Sequence, residues 1–273
     1  MGVGGVTRPG AGLYNGGSRA GRASAGRTGL TEHGYGERHY RQLVRRQGKF
    51  VFEVKVQETD LLITADQDLT TEAWDAACQA RDRIQEYAEA HPGFYESLAP
   101  LPADPEAHQI VRQMLEAGEA VGVGPMAAVA GAVAESVGRA LLRYTNEIVV
   151  ENGGDIFLCG MAEASVGIYA GASPLSEKVG LRVRVPEGGL GVCCSSGTVG
   201  PSLSFGHADA AVVVGMPAAL ADAAATAVGN LLKGKEDVEA ALERGMGIEG
   251  VRGIVVIIGD TLGAKGDLEL FRA

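Results

Sequence analysis

The sequence predicts an α+β fold whose strands pair mainly antiparallel. Three observations carry that expectation. Short apolar runs joined by tight turns outnumber strand–helix–strand units along the chain. Glu151-Asn-Gly-Gly-Asp155 joins the apolar runs Ile148–Val150 and Ile156–Leu158, which is the composition of a hairpin corner. Phe50–Gln57 alternates Phe52, Val54 and Val56 with Glu53 and Lys55, the period of a half-buried strand.

Taken in order, Leu61–Ala65 is the hairpin partner of that first strand, after a turn at Glu58-Thr-Asp60. Leu69–Ala90 has helical periodicity through Ala73, Ala76, Ala77, Ala80, Ile84 and Tyr87, and stops before Pro92. Pro100, Pro102 and Pro105 mark a surface loop, and Ala107–Ala117 resumes a helix. Gly122-Val-Gly-Pro125 turns into a long Ala/Gly helix, Met126–Tyr144. Strands are expected at 147–151, 155–159, 165–170, 180–185, 190–193 and 209–215. A helix is expected over 217–232 and another over Glu236–Glu243. Ile254–Ile258 reads as a buried strand, and Leu268–Phe271 is expected to close the same sheet.

A chain of 273 residues with 46% hydrophobic content can bury a full core as one large domain or two closely packed lobes. Only 5% of its residues are aromatic, so close packing of small aliphatic side chains is expected. The net charge of −10 is unevenly spread. Residues 1–49 hold nine basic residues against Glu32 and Glu37, a balance of +7, which leaves −17 on the remainder. Residues 1–48 read as a disordered Gly/Arg-rich tail and residues 49–273 as the folded domain. An acidic body argues against nucleic acid as the main partner, because phosphate contacts need clustered Lys and Arg. No secretory h-region and no stretch of membrane-spanning length occur, so no membrane partner is expected and the compartment reads as cytoplasmic. Cys78, Cys159, Cys193 and Cys194 show no disulfide or zinc-finger spacing, in keeping with a reducing compartment. A homodimer remains open.

Three segments carry candidate chemistry. Asp222 and Thr226 lie four residues apart in an alanine run, Met216 to Gly229, so they share one face of a helix. A carboxylate and a hydroxyl side by side are hard oxygen donors suited to Mg²⁺, although a surface Asp and a Thr bonding into its own helix would give the same spacing. Gly153, Gly154 and Asp155 form the corner described above, and plain hairpin chemistry also accounts for them. Gly191–Gly200 is a loop of hydroxyls, thiols and free amides, in which Ser195, Ser196, Gly197 and Thr198 can cradle a phosphate or serve as a simple turn. Amide dipoles there would lower the pKa of Cys193 and make it a nucleophile; a strand end with one thiol buried and one facing out is the plainer reading. His207 is a base or metal ligand, or a solvated loop histidine. The start of the long helix at Gly122–Pro125 offers amides to an anion, and tight helix packing explains its glycines equally well.

In order, these pieces resemble the ApbE superfamily, whose characterised members are Mg²⁺-dependent FAD:protein FMN transferases, once described as thiamine-biosynthesis lipoproteins. The elements run as Gly131–Tyr144, Ile148–Asp155, Ser195-Ser-Gly197, Asp209–Gly215 and Ala221-Asp-Ala-Ala-Ala-Thr-Ala227. The match is closer to a particular prokaryotic branch, through Glu58-Thr-Asp-Leu61, Val123–Gly131, Val150–Asp155, Ser195–Gly200, Ser202–Gly206 and Ala221–Asn230. It spans roughly residues 50 to 273.

The resemblance implies an ApbE-like, T-fold-like α+β architecture, and a nucleotide-like small molecule as ligand. It also implies Mg²⁺ held by Asp222 and Thr226, with FAD or FMN as the associated cofactor. Two departures stand out. The superfamily's Lys-Gly-Tyr-Ala-x-Asp stretch is Ala130-Gly-Ala-Val-Ala-Glu135 here, and its Asp-Pro-x-Thr-Gly segment is Ser202-Leu-Ser-Phe-Gly-His-Ala208. The cation and the aromatic ring are gone, so a divalent cation carries over more directly than a flavin.

Three functions follow as expectations. The first is a Mg²⁺-dependent transferase acting on a phosphate-containing cofactor, with Asp222 catalytic and Asp155 and residues 195–198 lining the cleft. The second is a sulfur-transfer protein in sulfur or homocysteine assimilation, using Cys193 as a persulfide. The third is a ligand-binding module without chemistry.

Overall fold

The computed structural model describes residues 48–197 and 206–273. The tail expected over 1–48 lies outside them but for Gly48, and so does Thr198 of the candidate loop. The chain opens with the hairpin β1 (Phe50–Val56) and β2 (Thr59–Ala65), followed by α1 (Thr70–Ala90) and α2 (Gln109–Val121). After a 3₁₀ turn at Pro125–Ala128 comes α3 (Val129–Leu141), then β3 (Ile148–Asn152), β4 (Asp155–Cys159), β5 (Glu163–Gly167) and β6 (Val179–Arg184). The remainder is β7 (Leu190–Ser195), β8 (Ala210–Gly215), α4 (Ala218–Leu231), α5 (Val238–Met246), β9 (Val251–Ile258), β10 (Thr261–Gly266) and β11 (Glu269–Arg272).

The strands form two sheets, one of eight strands in the order β1-β2-β3-β4-β7-β8-β9-β10 and one of three in the order β11-β6-β5. Every ladder among the described residues is antiparallel. The α+β class with antiparallel pairing is therefore what the structure shows. Side-chain alternation sorts the large sheet into two faces. On one face Leu61, Ile63, Ile148, Val150 and Phe157 pack with residues of α1, α2 and α3. Further along that face Cys193, Ala211, Val213, Ile254 and Val256 pack with α4 and α5. The opposite face presents Leu158, Val192, Val212, Val214, Val255 and Ile257 to Ala164, Leu181 and Val183 of the small sheet. Each fully buried Val, Leu or Ile contributes about 1.5–3 kcal/mol, so the large sheet is the middle of three layers held from both sides.

Two expectations are corrected. The segment Leu268–Phe271 does not close the large sheet: β11 pairs with β6, with Leu270 opposite Leu181, because β10 already occupies the edge beside β9. Strand β10, Thr-Leu-Gly-Ala-Lys-Gly, has no apolar alternation to announce it and exists through its pairing with β9. The helix expected over Met126–Tyr144 is shorter, since its first turn is 3₁₀ and its regular part ends at Leu141.

Candidate functional site

Helix α4 forms where it does because seven alanines in fourteen residues favour it and Pro217 precedes its first turn. It is buried almost all round: Ala218, Ala219, Leu220, Ala221, Ala223, Ala224, Ala225, Val228 and Gly229 are inaccessible, and small side chains let neighbouring backbones approach. Asp222, Thr226 and Asn230 are half-buried and recur every four residues, so they line one strip of the helix.

The Asp222 carboxylate reaches the first turn of α3, where its Oδ2 accepts the Gly131 amide at 2.8 Å and the Ala130 amide adds a second favourable contact. The approach depends on Gly131 having no side chain, since a Cβ there would lie 2.4 Å from the Ala218 carbonyl oxygen and 2.9 Å from the Asp222 Cβ. The amides that meet this carboxylate are those of Ala130 and Gly131 in the first turn of α3, beyond the Gly122–Pro125 turn, and the acceptor is the protein's own Asp222. Across the same contact Glu135, 1% exposed, accepts the Ala218 amide through Oε2 at 2.6 Å and the Arg139 Nε–H through Oε1 at 2.7 Å.

The hairpin corner arrives from the sheet. Gly153 and Gly154 have φ of 71° and 109°, which two successive residues adopt readily only as glycine, and they bring Asn152 opposite Asp155. Asn152 donates to the Ala130 carbonyl at 3.1 Å, and Glu151 accepts the Gly154 amide at 2.7 Å. Asp155 is buried and accepts the Cys194 amide at 3.1 Å, tying the corner to β7. Burial, and then the Asp155 carboxylate, push Asp222 well above the usual carboxylate range, while the Gly131 and Ala130 amides pull the other way. Two acids in one enclosed place call for a shared proton or a cation.

The end of β7 completes the surroundings. Ser195 packs against α4, its Oγ 3.7 Å from where a Cβ on Gly229 would stand, and Gly197 donates its amide to Ala208 at 2.9 Å. Ser196 has partners of its own. Asp155, at the Gly153-Gly154 corner, is the sequence-expected group whose charge reaches Asp222, with Thr226 one turn further along the same helix face. Ser195 instead meets α4 at Gly229, two turns beyond Asp222, and Gly197 lies beside Gly206 and Ala208.

One expectation about a side chain is corrected, and the solvated-loop reading of His207 is the one the structure matches. Cys193 is fully buried, donates to the Ala218 carbonyl at 3.5 Å, and is pushed well above the usual thiol range by burial and by the charges of Asp155 and Asp222. The amide-rich loop was expected to lower that pKa; desolvation and two neighbouring acids overwhelm it. Cys194 is pushed up to about 12, first by burial and then by Asp155. His207 is exposed and pairs through Nδ1 with the Lys233 carbonyl at 3.1 Å, past the C-terminal end of α4 and away from Asp222.

Glu135 and Asn152 were not singled out as site residues by the sequence. An acid in the apolar helical stretch Ala132-Val-Ala-Glu-Ser-Val137 was the available signal, because a carboxylate buried there needs a donor to meet it. No three His, Cys, Asp or Glu side chains cluster as a metal site among the described residues. Any cation here would rest on the two carboxylates Asp155 and Asp222, the Thr226 hydroxyl and oxygen atoms from outside the side-chain set, a donor composition suited to Mg²⁺.

Antiparallel sheets with helices on one face, and an acid-bearing alanine helix against a Gly-Gly-Asp corner, define an ApbE-like α+β protein. The chain belongs to the family described as AbpE bacteria (AbpE_bact), whose model matches residues 41–270. The UPF0280 protein of Methanosarcina barkeri is 42% identical over 221 residues, covering 78% of this chain and 85% of its own length. That of Methanococcus aeolicus is 39% identical over 222 residues, covering 79% and 90%. Among solved structures, the ApbE protein from Thermotoga maritima superposes with a TM-score of 0.51 at 12% identity, over 79% of this chain and 96% of its own. The flavin transferase ApbE from Vibrio cholerae gives 0.51 at 11% identity, over 80% and 97%. At such identities the two structures speak for the fold.

Proposed function

We propose that this chain is a flavin-transferase-like protein that binds a phosphate-containing nucleotide cofactor, FAD or FMN, with Mg²⁺ at Asp222 and Thr226. The single observation that carries this reading is the placement of the Asp222 carboxylate, raised in pKa beside Asp155 and set against the Gly-Gly-Asp corner. The family, and the printed name of the Vibrio cholerae neighbour as a flavin transferase, support the ligand class. When bound, the metal neutralises phosphate oxygens. Asp222 and Thr226 would supply its side-chain oxygens, Asp155 holds the β7 backbone through Cys194, and the hydroxyls of Ser195 and Ser196 would be the donors offered to phosphate oxygens.

The test is a titration of FAD, with and without Mg²⁺, into wild type and Asp222→Ala, read by flavin fluorescence and thermal shift. Quenching and stabilisation that need both Mg²⁺ and Asp222 are expected; silence in both proteins overturns the reading. A second reading, binding without transfer, rests on a specific feature: helix α3 carries Ala130 and Ala132 where the transferases have a cation and an aromatic ring. Tight flavin binding with no flavin moved onto an acceptor peptide would select it.

A further inference from the structure

The contact between α3 and α4 is reciprocal. Asp222, in the second turn of α4, accepts the Gly131 amide from the first turn of α3 at 2.8 Å. Glu135, one turn along α3, accepts the amide of Ala218, the first residue of α4, at 2.6 Å. Each helix therefore lends a carboxylate to the unsatisfied donors at the start of the other. Residue 131 meets 222 while 135 meets 218, so the two starts cross in opposite directions and cannot shift independently. Water has no access to replace the Glu135–Ala218 bond, because Glu135 is 1% exposed and Ala218 is fully buried.

From this we infer that Glu135 is the positioning residue of the Asp222 site. It fixes where α4 begins, and with it the rotation that points Asp222 at Gly131 and sets Thr226 one turn beyond. Its own carboxylate is held in place from the far side: Arg139 donates Nε–H to Oε1 at 2.7 Å, spans to the Gly188 carbonyl at 3.1 Å, and lies 5.3 Å over the Phe157 ring. The two oxygens thus have separate duties, Oε1 to Arg139 and Oε2 to Ala218. What the Ala218 amide requires is one acceptor oxygen at the reach of a glutamate; the second oxygen serves the Arg139 ion pair. This inference deepens the proposed function, whose metal site it supports, yet the bond it concerns can be read without any metal.

The experiment compares wild type with Glu135→Gln, which keeps the reach and one acceptor oxygen for Ala218 while giving up the charge and the Arg139 pair, and Glu135→Asp, which keeps the charge and shortens the reach. Amide hydrogen exchange by NMR at Gly131 and Ala218 is measured first, then Mn²⁺ binding by its paramagnetic signal. In Glu135→Asp both amides are expected to exchange at least about tenfold faster, and in Glu135→Gln to stay within about threefold of wild type. Mn²⁺ affinity is expected to follow the Gly131 amide. If Ala218 quickens in Glu135→Asp and Gly131 does not, Glu135 caps α4 without positioning Asp222, and the inference falls. It falls equally if Glu135→Gln behaves as Glu135→Asp does. If Gly131 responds as expected and even wild type takes up no Mn²⁺, the positioning role stands and the metal reading of the site is what fails.

Discussion

Asp222 and Gly131, 91 positions apart in sequence, are joined by a hydrogen bond of 2.8 Å at the point where α4 crosses the first turn of α3. The geometry leaves no volume at residue 131, since a Cβ would overlap the Ala218 carbonyl at 2.4 Å. Gly131→Ala is therefore expected to lower stability by about 1–3 kcal/mol, the usual cost of overpacking, despite the better helix propensity of alanine. Urea denaturation checks this, and a neutral or stabilising outcome would show that the two helix starts can separate without penalty.

Asp66 ties the end of β2 to the loop before β3. It accepts the Lys49 Nζ at 2.5 Å, the Thr145 hydroxyl at 2.8 Å and the Asn146 amide at 2.9 Å. The Lys49 bond first, then Thr145 and the Asn146 amide, hold its carboxyl well below the usual carboxylate range. A lowered carboxylate contributes stability that is present above the unfolded pKa and lost as pH falls toward the folded one. Asp66→Asn should melt below wild type at pH 7, and the gap should narrow as the pH falls below about 4. A gap of constant size from pH 7 to pH 3 would show that the charge of Asp66 is not what matters.

The cysteines give a chemical readout. Cys193 is buried with a raised pKa and Cys194 is pushed up to about 12, so neither offers thiolate near neutrality. Iodoacetamide at pH 7.5 should leave both unmodified in the folded protein, with Cys78, half-buried on α1, labelled ahead of them. Peptide mass spectrometry decides it. Rapid native labelling of Cys193, or a persulfide there after treatment with a polysulfide, which transfers a sulfane sulfur and leaves as the shortened polysulfide, would restore the sulfur-transfer alternative.

Phe157 is fully buried where two glycines close on it: a Cβ at Gly138 would come within 2.4 Å of its ring and one at Gly189 within 2.8 Å. Phe157→Ala should cost about 3–5 kcal/mol through lost burial and the cavity left behind. Phe157→Leu should cost less. The same pair of variants should loosen Arg139, whose guanidinium rests over the ring. Equal denaturation midpoints for wild type and Phe157→Ala would mean that this part of the core collapses freely.

Much of the architecture was legible because its signals are local. The period-two pattern of Phe50–Gln57 appears as β1, Phe50–Val56, and the Glu151–Asp155 corner appears as the β3–β4 turn with both glycines at positive φ. The alanine run appears as α4, Ala218–Leu231. Strand β10 was not legible, because Thr261–Gly266 has neither alternation nor bulk and is a strand only beside β9. Asp222 could be singled out against its alanine background, but nothing in the spacing of residues tells which backbone a carboxylate will meet across a helix crossing.

The sequence by itself determined the class of fold, the placement of most elements and the identity of the oxygen-bearing helix, since propensity, periodicity and turn chemistry act over a few neighbouring residues. Only the tertiary structure decided which groups share a site. It set Asp222 on the Gly131 amide with Asp155 near enough to raise its pKa, and it matched Glu135 to the start of α4. It also buried Cys193, whose sequence neighbourhood suggested reactivity. The physical reason is one of range: solvation and carboxylate–amide pairing depend on what surrounds a group in space, and those surroundings come from segments that the chain brings together only on folding.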